Sequence, residues 1–126
     1  MTTEPSRHIK WDEIEAEPMS AFIERKFFYT ENLMLARIVL KQGAHVPLHQ
    51  HHNEQLTYVL SGALEFHIEG RVVVVRAGEV LTIPPNVPHQ AFALEDTLDL
   101  DVFNPPRQDW IQGDDAYLRQ ETTERS

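Results

Sequence analysis

The chain has 126 residues, the size of one domain with a single core. Its 20 acidic residues outnumber its 11 basic residues, which gives a formal net charge of −9. A surface of that charge repels nucleic acid and anionic lipid, so neither is expected as a partner. The chain contains no cysteine, which excludes a disulfide scaffold and a thiolate metal site.

Residues 1–25 are polar and acidic, and we interpret them as an N-terminal arm laid over the domain that could contain a short strand. Apolar anchors are scattered along it: Ile9, Trp11, Ile14, Met19 and Phe22. No apolar stretch of the kind found in a secretory signal opens the sequence, and no run approaches the length of a membrane helix. We therefore expect a soluble cytoplasmic protein that does not associate with membranes.

From Lys26 onward the pattern is that of β-structure. Short apolar and β-branched runs alternate with turn signals; the runs cover 27–29, 33–40, 56–60, 64–68, 72–75, 80–83, 91–94 and 98–103. Many short strands at close spacing predict an antiparallel sandwich or barrel. We predict an all-β single domain with its barrel at 26–106. The charged tail at 107–126 is expected to be partly helical or loosely packed.

Four of the seven histidines fall within eight residues: His45, His49, His51 and His52. Alternate residues of a strand share a face, so His49 and His51 should point the same way, and Gln55 keeps that parity. His89 follows a stiff, proline-rich connection at 84–88, and a barrel could bring it beside the first pair. The pattern favours a metal site. The alternative is a polar loop at 49–52 and an exposed His89.

These residues resemble the two sequence motifs of the cupin superfamily. The first motif corresponds to Gly43, His49-Gln50-His51, Gln55 and Gly62, and the second to Gly78, Pro84, Asn86, His89 and Ala93. The resemblance implies a double-stranded β-helix, or jelly-roll barrel. It also implies one divalent transition metal ion held by four ligands: His49, His51, Gln55 and His89.

The chain departs from the cupin pattern at three positions. Asn86 stands where the family has Gly, which is mild because Asn tolerates left-handed turn geometry. Ala93 replaces an Asn that is not a ligand. Gln55 replaces the usual Glu ligand, although a bulge could bring in Glu54 instead. Neutral imidazole and amide ligands leave the ion its full charge, and nickel, zinc, iron, cobalt and manganese all suit them.

The run at 101–107, Asp-Val-Phe-Asn-Pro-Pro-Arg, resembles the end of the KdgF family of small cupins. That resemblance implies a pocket with Asp101, Phe103 and Arg107 as catalytic residues and a small anionic sugar acid as substrate. The implied activity is a metal-dependent, isomerase-type conversion of cyclic 4,5-unsaturated uronates to the linear keto form in pectin or alginate breakdown. Strand parity places Asp101 and Phe103 on one face together with Asp99.

Each of these residues has a simpler interpretation. Asp101 could hydrogen-bond a ligand histidine, Phe103 could pack in the core, and Arg107 could pair with a surface carboxylate. The fold also hosts metal-dependent dioxygenases and other oxidoreductases, and binding proteins without catalysis, so fold alone does not decide the function.

The open edges of such a barrel need cover, and the apolar anchors of the arm need a surface. We therefore predict a two-fold homodimer to which the arm and an outer sheet face contribute.

Overall fold

The structure, a computed structural model, describes residues 4–119; residues 1–3 and 120–126 lie outside the described part. The strands are β1 (Glu17–Pro18), β2 (Ile23–Tyr29), β3 (Met34–Leu40), β4 (His45–His49), β5 (Glu54–Ser61), β6 (Ala63–Ile68), β7 (Arg71–Arg76), β8 (Val80–Ile83), β9 (His89–Ala93) and β10 (Thr97–Asn104). Helix α1 covers Gln108–Ile111, and 3₁₀ helices cover Trp11–Glu13 and Ala116–Arg119. The predicted all-β single domain is confirmed.

The strands form two antiparallel sheets around one core. The larger sheet has the order β1-β2-β3-β10-β5-β8 and the smaller one has the order β4-β9-β6-β7. Met34 and Ile38 of the larger sheet are buried in the same cluster as Phe66 and Ala91 of the smaller sheet. The core therefore lies between the sheets, as a jelly-roll barrel requires.

Strand β10 reverses the usual burial of residue types. Its polar residues Asp99 and Asp101 point inward and are buried, whereas its apolar residues Leu98, Leu100 and Val102 face outward and are only partly covered. Burying carboxyl groups while leaving aliphatic side chains outside is unfavourable unless each face has a partner. The inner face of β10 belongs to the candidate site, and the outer face forms an apolar surface.

Gly62 and Asn86 lie in turns with left-handed backbone. Gly62, with φ +88°, connects β5 to β6, and a Cβ atom there would lie 2.4 Å from the Asp96 carbonyl oxygen. Only glycine fits such a close approach. Asn86 has φ 65°, as expected from its place in the cupin pattern.

The larger sheet begins earlier in the chain than the sequence pattern indicates. Strand β2 starts at Ile23 rather than residue 27, and it pairs with β1, so the sheet enters the segment interpreted as an arm. Arg25 obscures this start because a charged residue occupies an inward position there; its side chain is only 1% exposed. No helix in residues 4–119 is long and apolar enough to span a membrane, and the cytoplasmic location stays a prediction.

Candidate metal centre and active site

Three imidazole rings converge where β4 ends and β9 begins. Strand register pairs His49 with His89, and their ring centroids lie 4.3 Å apart. The ring of His51 lies 5.6 Å from that of His49 and 5.3 Å from that of His89. One nitrogen of each ring lies within 4.8 Å of the others. The three sequence-predicted histidines are therefore together, in an arrangement that can hold a metal ion.

The expectation that His49 and His51 share a strand is wrong. Strand β4 ends at His49, and His51 lies in the loop that leads to β5. Two remote segments hold this loop: the Asn53 side-chain amide donates to the Pro105 and Pro106 carbonyls at 2.6 and 3.2 Å. The His51 carbonyl accepts from the Asn86 N–H at 2.7 Å. Convergence thus comes from loop contacts and not from strand alternation.

All three histidines make the same backbone contact through Nδ1. The Nδ1 atoms lie 2.8 Å from the Pro47 carbonyl oxygen for His49, 3.0 Å from that of Asn53 for His51, and 2.8 Å from that of Val87 for His89. A carbonyl only accepts, so each Nδ1 carries the proton and each Nε2 keeps its lone pair. Every ring is therefore held in the tautomer that a metal ligand needs.

Gln55 completes this donor set, and its geometry tests whether a cation fits. Its Nε2 donates to Thr57 Oγ1 at 2.8 Å, and that hydroxyl donates to Asp101 Oδ1 at 2.8 Å, which fixes the orientation of the amide. Gln55 Oε1 then faces His51 Nε2 at 3.0 Å. Two lone-pair atoms facing each other repel unless a cation lies against both.

Among the described residues the donor set therefore fits a metal ion. Gln55 is buried, whereas the alternative ligand, Glu54, is exposed.

Burial keeps the imidazoles uncharged. It lowers the pKa of His49 to about 3, with repulsion from a charged His89 adding to the effect. Burial and then the positive charge of Arg107 lower the pKa of His51 to about 4, and burial also lowers the pKa of His89. Neutral rings at pH 7 leave their Nε2 lone pairs available.

Strand β10 brings Asp101 and Phe103 to the same cavity. Asp101 is buried beside Thr57 and lines this cavity together with His49 and His89. Burial raises its pKa. The alternative that Asp101 bonds a ligand histidine is not seen: its contact to the donor set passes through Thr57 to Gln55. Phe103 meets the His51 ring edge-on at 5.7 Å and also packs against Trp110.

Arg107 reaches the site but is already paired. It is 2% exposed, and its Nε and Nη2 donate to the two carboxylate oxygens of Asp109 at 2.9 and 2.7 Å. The simpler interpretation, an ion pair with a neighbouring carboxylate, therefore describes this state of the residue. A substrate carboxylate would have to compete with Asp109 for the bidentate edge.

Asp99 is a second buried carboxyl group on the inner face of β10, and the sequence pattern assigns it no role. Burial, and then the neighbouring charge of Asp101, raise its pKa well above the ordinary 3.8, and its Oδ1 has no hydrogen-bond partner. A raised folded pKa means that the stability contribution is complete below the unfolded pKa. It is lost as pH rises through the folded value.

Asp99→Asn should therefore stabilise the protein, because the amide keeps the shape of the protonated acid and cannot ionise. We expect the gain in Tm to grow between about pH 5 and about pH 8 in thermal melts. An equal gain or loss at both pH values would contradict the assignment of a protonated Asp99.

Sequence reasoning missed three residues that shape the site. Thr57 was within reach, because it alternates with Gln55 on β5 and pairs in register with Asp101. Nothing in the sequence pattern pointed to Asn53, because its hydrogen-bond partners are backbone carbonyls more than fifty residues away. Tyr117 lies in the tail that was expected to be partly helical or loosely packed. The described part of the tail is partly helical, and the Tyr117 ring stacks on His49 with centroids 4.7 Å apart.

Fold and site together define a class of protein. A family model described as a cupin domain matches residues 36–104, more than half of the chain. The chain therefore belongs to the cupin family.

Three similar proteins show which cupins this chain resembles. The chain is 29% identical over 103 residues to the pectin degradation protein KdgF of Dickeya dadantii (strain 3937), covering 79% of this chain and 94% of that one. The solved structure of KdgF from Halomonas sp. superposes with TM-score 0.79 at 31% identity, covering 84% and 99% of the two chains. An RmlC-like cupin from Shewanella frigidimarina gives TM-score 0.77 at 28% identity, covering 83% and 96%. Within its family the chain is a KdgF-like cupin.

Proposed function

We propose that this protein converts cyclic 4,5-unsaturated uronates to the linear keto form during pectin- or alginate-type polysaccharide breakdown. Similarity to KdgF supports the substrate class. The observation that carries the proposal is the hydrogen-bonded chain from Gln55 through Thr57 to Asp101. It connects the metal-ligand set to a buried carboxyl group in one cavity.

His49, His51, His89 and the Gln55 carbonyl oxygen would hold one divalent transition metal ion, with nickel, zinc, iron, cobalt or manganese all compatible. Such an ion would supply Lewis acidity, which would attract the substrate carboxylate and stabilise negative charge on the neighbouring C5 oxygen. The neutral ligands suit this task because they leave the positive charge of the site undiminished.

The reaction moves one proton from the C1 hydroxyl to C4 and opens the ring at C1. The C1 hydroxyl loses its proton, the C1 carbonyl forms, and the bond between C1 and the ring oxygen breaks. The electron pair passes to that oxygen, which is an enolate oxygen on C5. Protonation at C4 then gives the C5 ketone, so the net change is an isomerisation without a redox step. We assign the transfer of the proton to the Asp101 carboxyl.

Arg107 and Phe103 complete the proposed pocket. The guanidinium of Arg107 would bind the substrate carboxylate in place of Asp109, since a bidentate partner of the same charge and geometry is already bound there. Phe103 would form an apolar wall beside His51 that limits water.

The donor set favours this proposal over an oxygen-activating enzyme. Oxygen-activating non-haem iron sites commonly combine two histidines with a carboxylate, whereas the clustered donors in residues 4–119 are three imidazoles with the Gln55 amide beside them.

The test is to incubate the purified protein with lyase-generated unsaturated monouronates and to follow the cyclic and open keto forms by NMR. We expect conversion well above the spontaneous rate, and none above it for a His49→Ala/His51→Ala control. Tight binding without conversion would identify a binding protein, and oxygen consumption with bound iron would identify an oxidoreductase.

We also propose that the protein is a two-fold homodimer. Exposed and partly covered apolar side chains continue across the outer face of the larger sheet, where Tyr58 opposes Val80 and Leu100, and Leu98 opposes Val39. Patches of this kind mark interaction surfaces, and an isologous dimer would cover the face with its own copy.

Light scattering should give about twice the chain mass of 14.6 kDa. Tyr58→Glu should reduce it to the monomer mass, whereas Val72→Glu, an exposed apolar position on the smaller sheet, should not. A monomer mass for the unmodified protein at micromolar concentration would reject the dimer.

A further inference from the structure

The segment at residues 115–119, here called the lid, covers the histidine cluster. Its Tyr117 stacks on the His49 ring, and the phenol oxygen accepts from Arg107 Nη2 at 2.7 Å and from Trp110 Nε1 at 3.1 Å. Leu118 is 5% exposed and lines the same cavity. The phenol thus contacts both a proposed metal ligand and the proposed substrate-binding guanidinium.

The cavity that remains beneath the lid is too small for a sugar acid. Its volume is about 50 Å³, which is room for roughly three to five water molecules. Sites for larger ligands usually have roughly 300 Å³ or more. A monosaccharide acid therefore cannot occupy the site with the lid in this position.

A buried ion pair holds the lid closed. Asp115 is 0% exposed, with Oδ2 lying 2.8 Å from Arg25 Nη2 and Oδ1 accepting from Arg119 Nε at 2.9 Å. Gly113 lies two residues before the lid begins and has φ +81°, a left-handed conformation that favours glycine. Trp110, before this glycine, is packed in the core cluster. The lid therefore follows a packed tryptophan and a glycine, and the Asp115 ion pair holds its first residue.

We propose that the lid opens at Gly113 before substrate enters and that Tyr117 occupies, in the closed state, the place of substrate beside Arg107 and His49. The identity of the ligand rests on the proposed function, whereas the opening itself does not. Because the closed lid and the substrate compete for one position, removing the phenol should ease entry. A residue that only contacts bound substrate would have the opposite effect.

The first test measures lid closure without substrate. The chain contains two tryptophans, so a Trp11→Phe background makes fluorescence report on Trp110 alone. Acrylamide should quench Trp110 several-fold more strongly in Tyr117→Ala than in the unmodified background. Tyr29→Ala, at an exposed tyrosine outside the site, should leave quenching unchanged. Equal protection of Trp110 in Tyr117→Ala and the background would overturn the proposal.

The second test uses an unsaturated monouronate. Tyr117→Ala should lower KM by about tenfold, since it removes a hydrogen bond from a charged donor that stabilises only the closed state. A raised KM would overturn the proposal and make Tyr117 a substrate contact.

If circular dichroism shows that Tyr117→Ala is unfolded, Tyr117→Phe serves instead. It keeps the ring on His49 and removes both hydrogen bonds, so quenching should rise to a smaller extent. An unchanged value would again reject the lid. If the unmodified protein does not convert uronates, the proposed function fails while the quenching result still decides the lid.

Discussion

Replacing Asp101 with Asn is expected to lower kcat for uronate ring opening by roughly two to four orders of magnitude, the usual effect of losing a general acid–base. The side-chain amide can still accept the hydrogen bond from Thr57, so Gln55 should keep its orientation. Metal content and substrate affinity should therefore be retained. The measurement is kcat by NMR or absorbance at matched metal content.

Asp99→Asn is the matched control for this experiment. It makes the same chemical change two residues away on the same buried face of β10, but Asp99 has no assigned role in proton transfer. We expect its kcat to stay within a few-fold of that of the unmodified protein. Near-normal kcat in Asp101→Asn would instead leave Asp101 as a structural partner of Thr57.

Removing two imidazoles should abolish metal binding. The unmodified protein should carry about one divalent transition metal per chain after dialysis, because one four-ligand site accounts for all donors assigned. His49→Ala and His51→Ala should each lower the affinity by more than the roughly 10- to 100-fold effect of losing an outer partner. The double variant should retain almost none by elemental analysis.

A second pair of histidines controls for nonspecific loss. His45 bonds Gln90 and His67 bonds Glu65, both away from the cluster. His45→Ala/His67→Ala should therefore keep full metal content. Full metal occupancy in His49→Ala/His51→Ala would contradict the assignment of these residues as metal ligands, whatever the activity of the protein.

The fold was predictable because its signals are local. Strand alternation in β5 and β10, glycine at the Gly62 turn and asparagine at Asn86 each follow from the backbone preferences of those residues. Gln55 is buried and Glu54 exposed, as predicted, although the prediction counted strand parity from His49 across residues 50–53, which form a loop. Where a short-range rule controls a residue, the sequence alone is enough.

The site was predictable only in part because its assembly depends on distant contacts. His51 joins the other two histidines because the Asn53 side chain bonds the backbone at 105–106. The pattern of polar and apolar residues in the sequence does not reveal a contact of this kind. The start of β2 was hidden because Arg25 is buried by pairing with Asp115, ninety residues later. Tyr117 lay in a stretch that composition describes only as charged.

The shared Nδ1 contact has a consequence for metal selectivity. In each ring the hydrogen bond spans only two residues of its own chain, so ring orientation is established together with the local backbone. The rotational freedom of three side chains is then lost during folding and not during metal loading. A site whose donors are positioned in advance adapts little to ionic radius or preferred coordination angle. It should therefore select metals by how well their ionic radius and coordination geometry match the fixed donors, more than by the intrinsic strength of nitrogen–metal bonds.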